Sequence, residues 1–133
     1  MHPRLAEEWQ DVLAAYPDAC HEGEPERVEL TLQLDGAGYN RARTRTAVLV
    51  PPGYRTTAPD GFLVEAGLSL AGGGGLPVSD AAGIGMPGWL LVSFHYVNEQ
   101  GRSTWRPGAD PKRGDNLVSY IGSIESFLAR GCN

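Results

Sequence analysis

The feature that most constrains the fold is the order of hydrophobic periodicities along the chain. Apolar side chains recur at helical spacing near both ends, whereas strand-like patterns lie between them. The first helical pattern covers about residues 3–16, with Pro3 in its first turn and Pro17 just beyond it. Asp115 is placed to cap the second helix and Gly131 to end it. The second pattern consists of Leu117, Tyr120, Ile121, Ile124, Phe127 and Leu128.

Four segments between the helices are predicted to be strands. Val28–Leu34 alternates apolar and polar residues, and Thr44–Val50 is rich in β-branched residues. Phe62–Leu70 is interrupted by Gly67, and Trp89–Tyr96 is strongly apolar. Consecutive strands joined by short turns favour antiparallel pairing. We therefore predict an α+β fold with an N-terminal helix, an antiparallel meander of about four strands and a C-terminal helix.

Turn signals separate these segments. Asp35-Gly36 begins a turn that runs to about Tyr39, and 71–75 contains four consecutive glycines to which no fixed structure is assigned. We expect 51–60, PPGYRTTAPD, to be a rigid surface turn, because proline fixes φ and lacks an N–H. The core is expected to include Trp9, Val28, Leu30, Val48, Val50, Phe62, Val92, Phe94, Ile121 and Phe127.

Length and charge exclude several classes of protein. The 133 residues fit a single domain, 1–133, at roughly 100–200 residues per domain. The chain has 11 Lys and Arg against 16 Asp and Glu, a net charge of −5. This balance argues against nucleic acid and against a polybasic membrane anchor as partners. No apolar run approaches the length of a membrane span, and the acidic N-terminal segment is unlike a signal peptide, so we predict a cytoplasmic protein.

The sequence gives no sign of a cofactor or metal site. Cys20 and Cys132 lie near opposite ends of the chain and are interpreted as free thiols. His2, His21 and His95 are far apart in the sequence, so no metal is predicted.

Two groups of polar residues are candidates for chemistry. Ser93 and His95 share one face of the predicted strand, and an imidazole is the usual base for a hydroxyl nucleophile. The alternative is that both side chains make local hydrogen bonds on a solvated face. Asp110 and Asp115 are candidates for acid–base work or for binding a metal, but they flank Lys112-Arg113 and also fit caps and solvated charges.

Three stretches together resemble a known family. They are VLVPPGYRTTAPDGFLVEAGL at 48–68, WLLVSFH at 89–95 and WRPGADPKRGDNLVSYIGSIESFL at 105–128. In this order they resemble the prokaryotic E-type branch of the ubiquitin-conjugating enzyme (UBC) superfamily, over about residues 26–129. The resemblance implies a UBC-like fold, with the Pro-Gly-Tyr turn lying between two central strands.

The resemblance also implies a function. Conjugating enzymes accept a ubiquitin-like protein from an activating enzyme as an acyl ester and pass it to an amine of a protein substrate. Bacterial relatives look like parts of small ubiquitin-like modification systems, and a role in antiphage defence is an expectation of the same kind. The implied partners are the ubiquitin-like protein, the activating enzyme and the substrate.

The chain departs from the family pattern at the catalytic position. Standard conjugating enzymes carry a catalytic Cys shortly before a Trp-x-Pro turn, but no Cys lies between Cys20 and Cys132. A serine in its place would form an oxyester and would need a base, since a hydroxyl is a weak nucleophile. Ser93 is the first candidate, because it belongs to the Ser-x-His signature and His95 is available as its base.

Ser103 is the second candidate nucleophile, because it follows Gly101 as the standard Cys follows a Gly. Asn98 is a candidate donor to the oxyanion of the tetrahedral intermediate. Two other functions stay open. One is a catalytically inactive variant that binds the ubiquitin-like protein or its activating enzyme. The other is a Ser/His hydrolase, for which the sequence offers no nucleophile elbow and identifies no Asp or Glu that orients the histidine.

Overall fold

The computed structural model describes residues 1–34, 38–72 and 76–132. The turn predicted at Asp35-Gly36 lies outside the described residues, as do the glycines at 73–75. Helix α1 spans Pro3–Ala15, with proline in its first turn. The ring of His2 accepts a hydrogen bond from the Arg4 N–H at 3.1 Å, which caps the helix at its start. The helix ends before Pro17, as predicted.

Within the described residues, the sheet has six antiparallel strands rather than about four. Their order across the sheet is β1-β2-β3-β4-β6-β5. The two strands that sequence reasoning missed lie at the two edges, and each has only three or four residues without an alternating apolar pattern. The strands are β1 (Cys20–Gly23), β2 (Glu26–Gln33), β3 (Arg43–Leu49), β4 (Phe62–Glu65), β5 (Val78–Asp80) and β6 (Trp89–Val92).

Two predicted strands are shorter than expected. Strand β4 ends at Glu65 rather than Leu70, because Gly67 adopts a φ of 96° that continues no strand. Strand β6 ends at Val92 rather than Tyr96. Beyond it the exposure still alternates, with Ser93 exposed and Phe94 half-buried, but regular pairing with β4 has ended.

Helix α2 spans Leu117–Ala129, and its cap is Asn116 rather than the predicted Asp115. The Asn116 side chain accepts from the Ser119 N–H, and the Ser119 hydroxyl accepts from the Asn116 N–H, both at 2.9 Å. This is a reciprocal capping box. Asp115 instead accepts a hydrogen bond from the Arg106 N–H at 2.8 Å. Gly131 follows the helix in the left-handed region, as predicted.

The main core lies on the face of the sheet that both helices cover. Most of the predicted core residues are buried there, but Trp9, Phe94 and Phe127 are only partly buried because they lie at its margin. A smaller cluster on the opposite face contains Ala47 and Leu63, packed beneath residues 81–86. No helix in the described part of the chain is long and apolar enough to cross a bilayer.

A buried carboxylate ties the two helices to the predicted surface turn. Glu8 is only 1% exposed and accepts hydrogen bonds from Arg4 Nε at 2.7 Å and from the Leu117 N–H at 2.7 Å. The Tyr54 hydroxyl also donates to Glu8, at 2.8 Å. Burial, together with the neighbouring Glu8 carboxylate, raises the pKa of Tyr54, so its hydroxyl stays protonated and can donate. The hydrogen bond from Tyr54 to Glu8 thus anchors the Pro-Gly-Tyr turn to both helices.

Candidate functional site

The predicted site residues lie on the segment that links β6 to α2. Residues 96–104 fold back as a short hairpin, in which Val97 pairs with Ser103 and the Thr104 N–H donates to the Tyr96 carbonyl at 2.7 Å. Asn98 makes the turn, because its side-chain oxygen accepts from the backbone N–H groups of Gln100 and Arg102, both at 3.0 Å.

The hairpin places Ser103 and His95 in one cleft. Val97 opposes Ser103 in an isolated pair, and the Val97 N–H donates to the His95 carbonyl at 3.0 Å, so the chain turns between His95 and Val97. The strand pairing therefore ends before His95, but both side chains line the cleft described below.

His95 has a carboxylate partner that sequence reasoning missed. Its Nδ1 lies 2.6 Å from Oδ1 of Asp60, in the turn before β4. In the neutral imidazole, an N–H at Nδ1 that donates to a carboxylate leaves the lone pair on Nε2. Nε2 is then the atom that can accept a proton. Both side chains are exposed, His95 by 52% and Asp60 by 84%, so the pair is open to solvent.

The backbone holds this pair in place. The Gly61 N–H donates to the Phe94 carbonyl at 3.0 Å. Asp60 directly precedes Gly61 and His95 directly follows Phe94, so this hydrogen bond holds the two close together. Gly61 has a φ of 81°, and a Cβ there would lie 2.7 Å from the Val92 carbonyl oxygen. Only glycine therefore permits this approach of the turn to the end of β6.

A tyrosine of helix α2 supports the same contact from the core. The Tyr120 hydroxyl donates to the Gly61 carbonyl at 3.0 Å, with the Phe94 carbonyl at 3.4 Å. Burial raises the pKa of Tyr120, so the hydroxyl keeps its proton at neutral pH. Its ring stacks on Tyr96 at 5.4 Å, and Tyr96 in turn meets the edge of Trp105 at 5.3 Å. The site thus stands on a packed aromatic layer.

These residues enclose an open cleft of about 270 Å³. His95, Asp60 and Ser103 all contribute to its walls, together with apolar side chains and the Thr57 hydroxyl. The full lining is Thr57, Ala58, Pro59, Asp60, His95, Tyr96, Val97 and Ser103. The cleft combines an imidazole, a carboxylate and hydroxyl groups, which is a set suited to acyl transfer.

Two predicted site residues lie outside this lining. Ser93 is exposed at the end of β6, and its N–H donates to the Pro77 carbonyl at 3.2 Å, on the side of β5. The Asn98 side-chain oxygen is used in the turn, as described above. The structure therefore brings His95 together with Ser103 and leaves Ser93 and Asn98 at the margin.

The two cysteines lie away from the cleft. Cys20 Sγ accepts a hydrogen bond from Arg45 at 3.2 Å, and Cys132 lies 3.8 Å from the Tyr39 hydroxyl. Burial raises the pKa of the Cys132 thiol, which makes it a poor nucleophile at neutral pH. Across 1–34, 38–72 and 76–132, no group of three or more His, Cys, Asp or Glu side chains is arranged to hold a metal ion.

A second, larger cavity of about 590 Å³ lies on the face of the sheet away from the helices. Its walls are mostly apolar and include Leu49, Pro51, Pro52 and the exposed Ile84. Asp60 contributes to this groove and to the cleft, so the two cavities adjoin at that carboxylate. Part of the turn that we predicted to be only structural therefore lines an apolar groove.

Comparison of the chain with models of known protein families, with curated proteins and with solved structures finds no match.

Proposed function

We propose that this chain is a UBC-like acyl carrier that accepts a ubiquitin-like protein from an activating enzyme as an oxyester on a serine. It then transfers the acyl group to an amine of a protein substrate. The observation that carries the proposal is that His95 and Ser103 line one cleft. A base and a hydroxyl in the same cleft are what an oxyester needs, because an unassisted serine is a weak nucleophile.

The arrangement of the fold also supports the proposal. A helix, an antiparallel sheet and a final helix follow one another in the order that the resemblance implies, with the Pro-Gly-Tyr turn between β3 and β4. The segment that would carry the standard cysteine is the hairpin 96–104, just before Trp105. Ser103 is the hydroxyl of that hairpin which lines the cleft. We therefore assign the nucleophile to Ser103 in preference to Ser93.

The proposed charging step uses only these groups and the incoming acyl donor. Ser103 Oγ attacks the carbonyl carbon that links the ubiquitin-like protein to its activating enzyme, and Nε2 of His95 takes the hydroxyl proton. The bond from that carbon to the activating enzyme breaks, and the proton passes from His95 to the leaving group. In the second step a substrate amine attacks the acyl carbon while His95 takes a proton from it, and His95 passes that proton to Ser103 Oγ as the ester bond breaks.

The test is a charging assay with purified chain, ATP, and an activating enzyme and ubiquitin-like protein of a bacterial ubiquitin-like modification system. We expect an adduct that resists mild thiols and is cleaved by hydroxide. Ser103→Ala should abolish the adduct, and Ser103→Cys should give a thiol-sensitive one. His95→Ala should slow charging by about 10²–10⁴-fold, the usual contribution of a general base.

Ser93→Ala is the matched control, because Ser93 is also exposed and lies only two residues from His95 in the sequence, but does not line the cleft. Loss of charging in Ser93→Ala but not in Ser103→Ala would return the assignment to Ser93. If no adduct forms with any variant, yet the chain binds the ubiquitin-like protein or the activating enzyme, the binding-only alternative is correct.

A further inference from the structure

We propose that Asp60, His95 and Ser103 form a serine-hydrolase-type site that cleaves short-chain carboxylic esters without any partner protein. The proposal adds an activity to the one above and rests on its assignment of Ser103 and His95. Ser103 and His95 are its catalytic residues, and Asp60 is a positioning residue that acts through His95.

The Asp60–His95 contact carries the first step of the argument. Nδ1 of His95 lies 2.6 Å from the carboxylate, and an N–H there that donates to Asp60 leaves the lone pair on Nε2. A carboxylate that fixes the tautomer and orientation of a histidine also stabilises the imidazolium that forms when the histidine takes a proton. The sequence identified no carboxylate that orients the histidine, which argued against a hydrolase. Asp60 supplies that carboxylate.

The state of the Ser103 hydroxyl carries the second step. Its oxygen accepts a hydrogen bond from the Trp105 N–H at 3.2 Å, so the oxygen is held while its own hydrogen is left to donate. Ser103 lines the same cleft as His95. His95 directly precedes Tyr96, whose hydroxyl bonds to the Ser123 hydroxyl of α2. Ser103 lies two residues before Trp105, whose indole N–H donates to the Arg55 carbonyl.

The dimensions and lining of the cleft set the substrate class. A volume of about 270 Å³ lies at the lower end for small-molecule sites and suits an acyl group of a few carbons. Ala58, Pro59 and Val97 provide an apolar wall for that group, while the open side leaves room for the alcohol to depart. Acetyl and butyryl esters should therefore be better substrates than long-chain esters.

The reaction balances without an external co-reactant other than water. Ser103 Oγ forms a bond to the ester carbonyl carbon as His95 takes its proton, and the bond from that carbon to the alkoxy oxygen breaks. The alcohol leaves with the proton from His95. Water then attacks the acyl-serine while His95 takes a proton from it, and the carboxylic acid is released as Ser103 regains its hydrogen.

The experiment measures hydrolysis of p-nitrophenyl acetate by the purified chain alone, with mass spectrometry of acid-quenched samples to locate the acetyl group. We expect acetylation on Ser103 and saturable turnover. Ser103→Ala should abolish both, and His95→Ala should lower kcat by about 10²–10⁴-fold. Ser79→Ala, an exposed serine of β5 outside the cleft lining, is the matched control and should behave as the unchanged chain.

Asp60→Asn tests the positioning role. We expect kcat to fall by roughly ten- to a hundredfold, as when the partners that orient metal-ligating histidines are removed, with KM nearly unchanged. Nitrogen NMR of the His95 ring should show the Nδ1-protonated tautomer in the unchanged chain and a mixture in Asp60→Asn. An unchanged tautomer and kcat in this variant would overturn the role of Asp60.

The outcomes separate this proposal from the proposed function. Charging by the activating enzyme with no ester hydrolysis would overturn the hydrolase site and leave the carrier function intact. Ester hydrolysis that depends on Ser103, with no charging, would support the hydrolase site and reject the carrier function. Acetylation on Ser93, or turnover that survives Ser103→Ala, would refute the site as assigned.

Discussion

Removal of the buried Glu8 carboxylate should be among the most damaging single changes in this fold. Glu8 accepts from Arg4, Tyr54 and the first N–H of α2, so Glu8→Ala breaks three links at once. It also leaves the Arg4 guanidinium, whose side chain is 6% exposed, without its close counter-charge. Breaking one partner of a buried ion pair costs about 3–5 kcal/mol.

The surrounding charges place the expected cost near the lower end of this range. Glu7 lies 3.9 Å from Arg4 and offers partial compensation, so we expect a loss of about 3 kcal/mol in the free energy of unfolding. For a domain of this size that corresponds to a fall in Tm of roughly 10–15 °C. Urea unfolding followed by circular dichroism and thermal scans measure both quantities.

A pair of tyrosines provides the control. Tyr54→Phe removes one buried hydrogen bond to Glu8 and should cost about 1.5–3 kcal/mol, as for hydrogen bonds to charged groups. Tyr16→Phe removes a similar bond to Glu125 at the surface and should cost less than about 1 kcal/mol. A Glu8→Ala protein within about 1 kcal/mol of the unchanged chain would refute the view that this network ties the helices to the turn.

Two further substitutions test the support of the cleft and the acid side of the stability curve. Gly61→Ala should lower the free energy of unfolding by more than about 1–2 kcal/mol, because Gly61 has a φ of 81° and a Cβ there would meet the Val92 carbonyl. It should also lower the proposed activity at His95. Unchanged activity and thermal stability would contradict this. Burial raises the pKa of Glu26, but hydrogen bonds from His21 and the His2 N–H outweigh it, so the net pKa is lowered. Its stabilising contribution is therefore present above about pH 4.5 and is lost as the pH falls through the lowered value. Urea titrations across this range should show a flatter acid limb for Glu26→Gln, and parallel curves for the two proteins would reject the assignment.

Long periodic elements of this fold were predictable, and short or non-local ones were not. The helices and strand β2 carry a repeated apolar pattern, strand β3 is rich in β-branched residues, and the structure has all four close to the predicted bounds. Edge strand β1 contains His21 and Glu22 and pairs through its backbone, so no side-chain pattern marks it. The cap of α2 was misplaced by one residue because Asp115 and Asn116 are both good capping residues.

The residues of the candidate site show the same difference between local and non-local features. His95 was a candidate from the sequence as the base for Ser93, and Ser103 was the second candidate nucleophile from the resemblance; the structure has His95 and Ser103 in one cleft. Asp60 was seen only as part of a turn, since its approach to His95 depends on the pairing of β4 with β6 across the sequence of β5. A contact between elements so far apart in sequence leaves no local signal.

The hydrogen bond from Tyr120 to the Gly61 carbonyl also has a consequence for when the candidate site forms during synthesis of the chain. The cleft walls at 57–60 and 95–103 precede α2 in the sequence and are synthesised before it. Until Tyr120 has left the ribosome and α2 has packed, the contact that aligns Asp60 with His95 lacks this hydrogen bond. The geometry of the candidate site is therefore complete only once the final helix is in place.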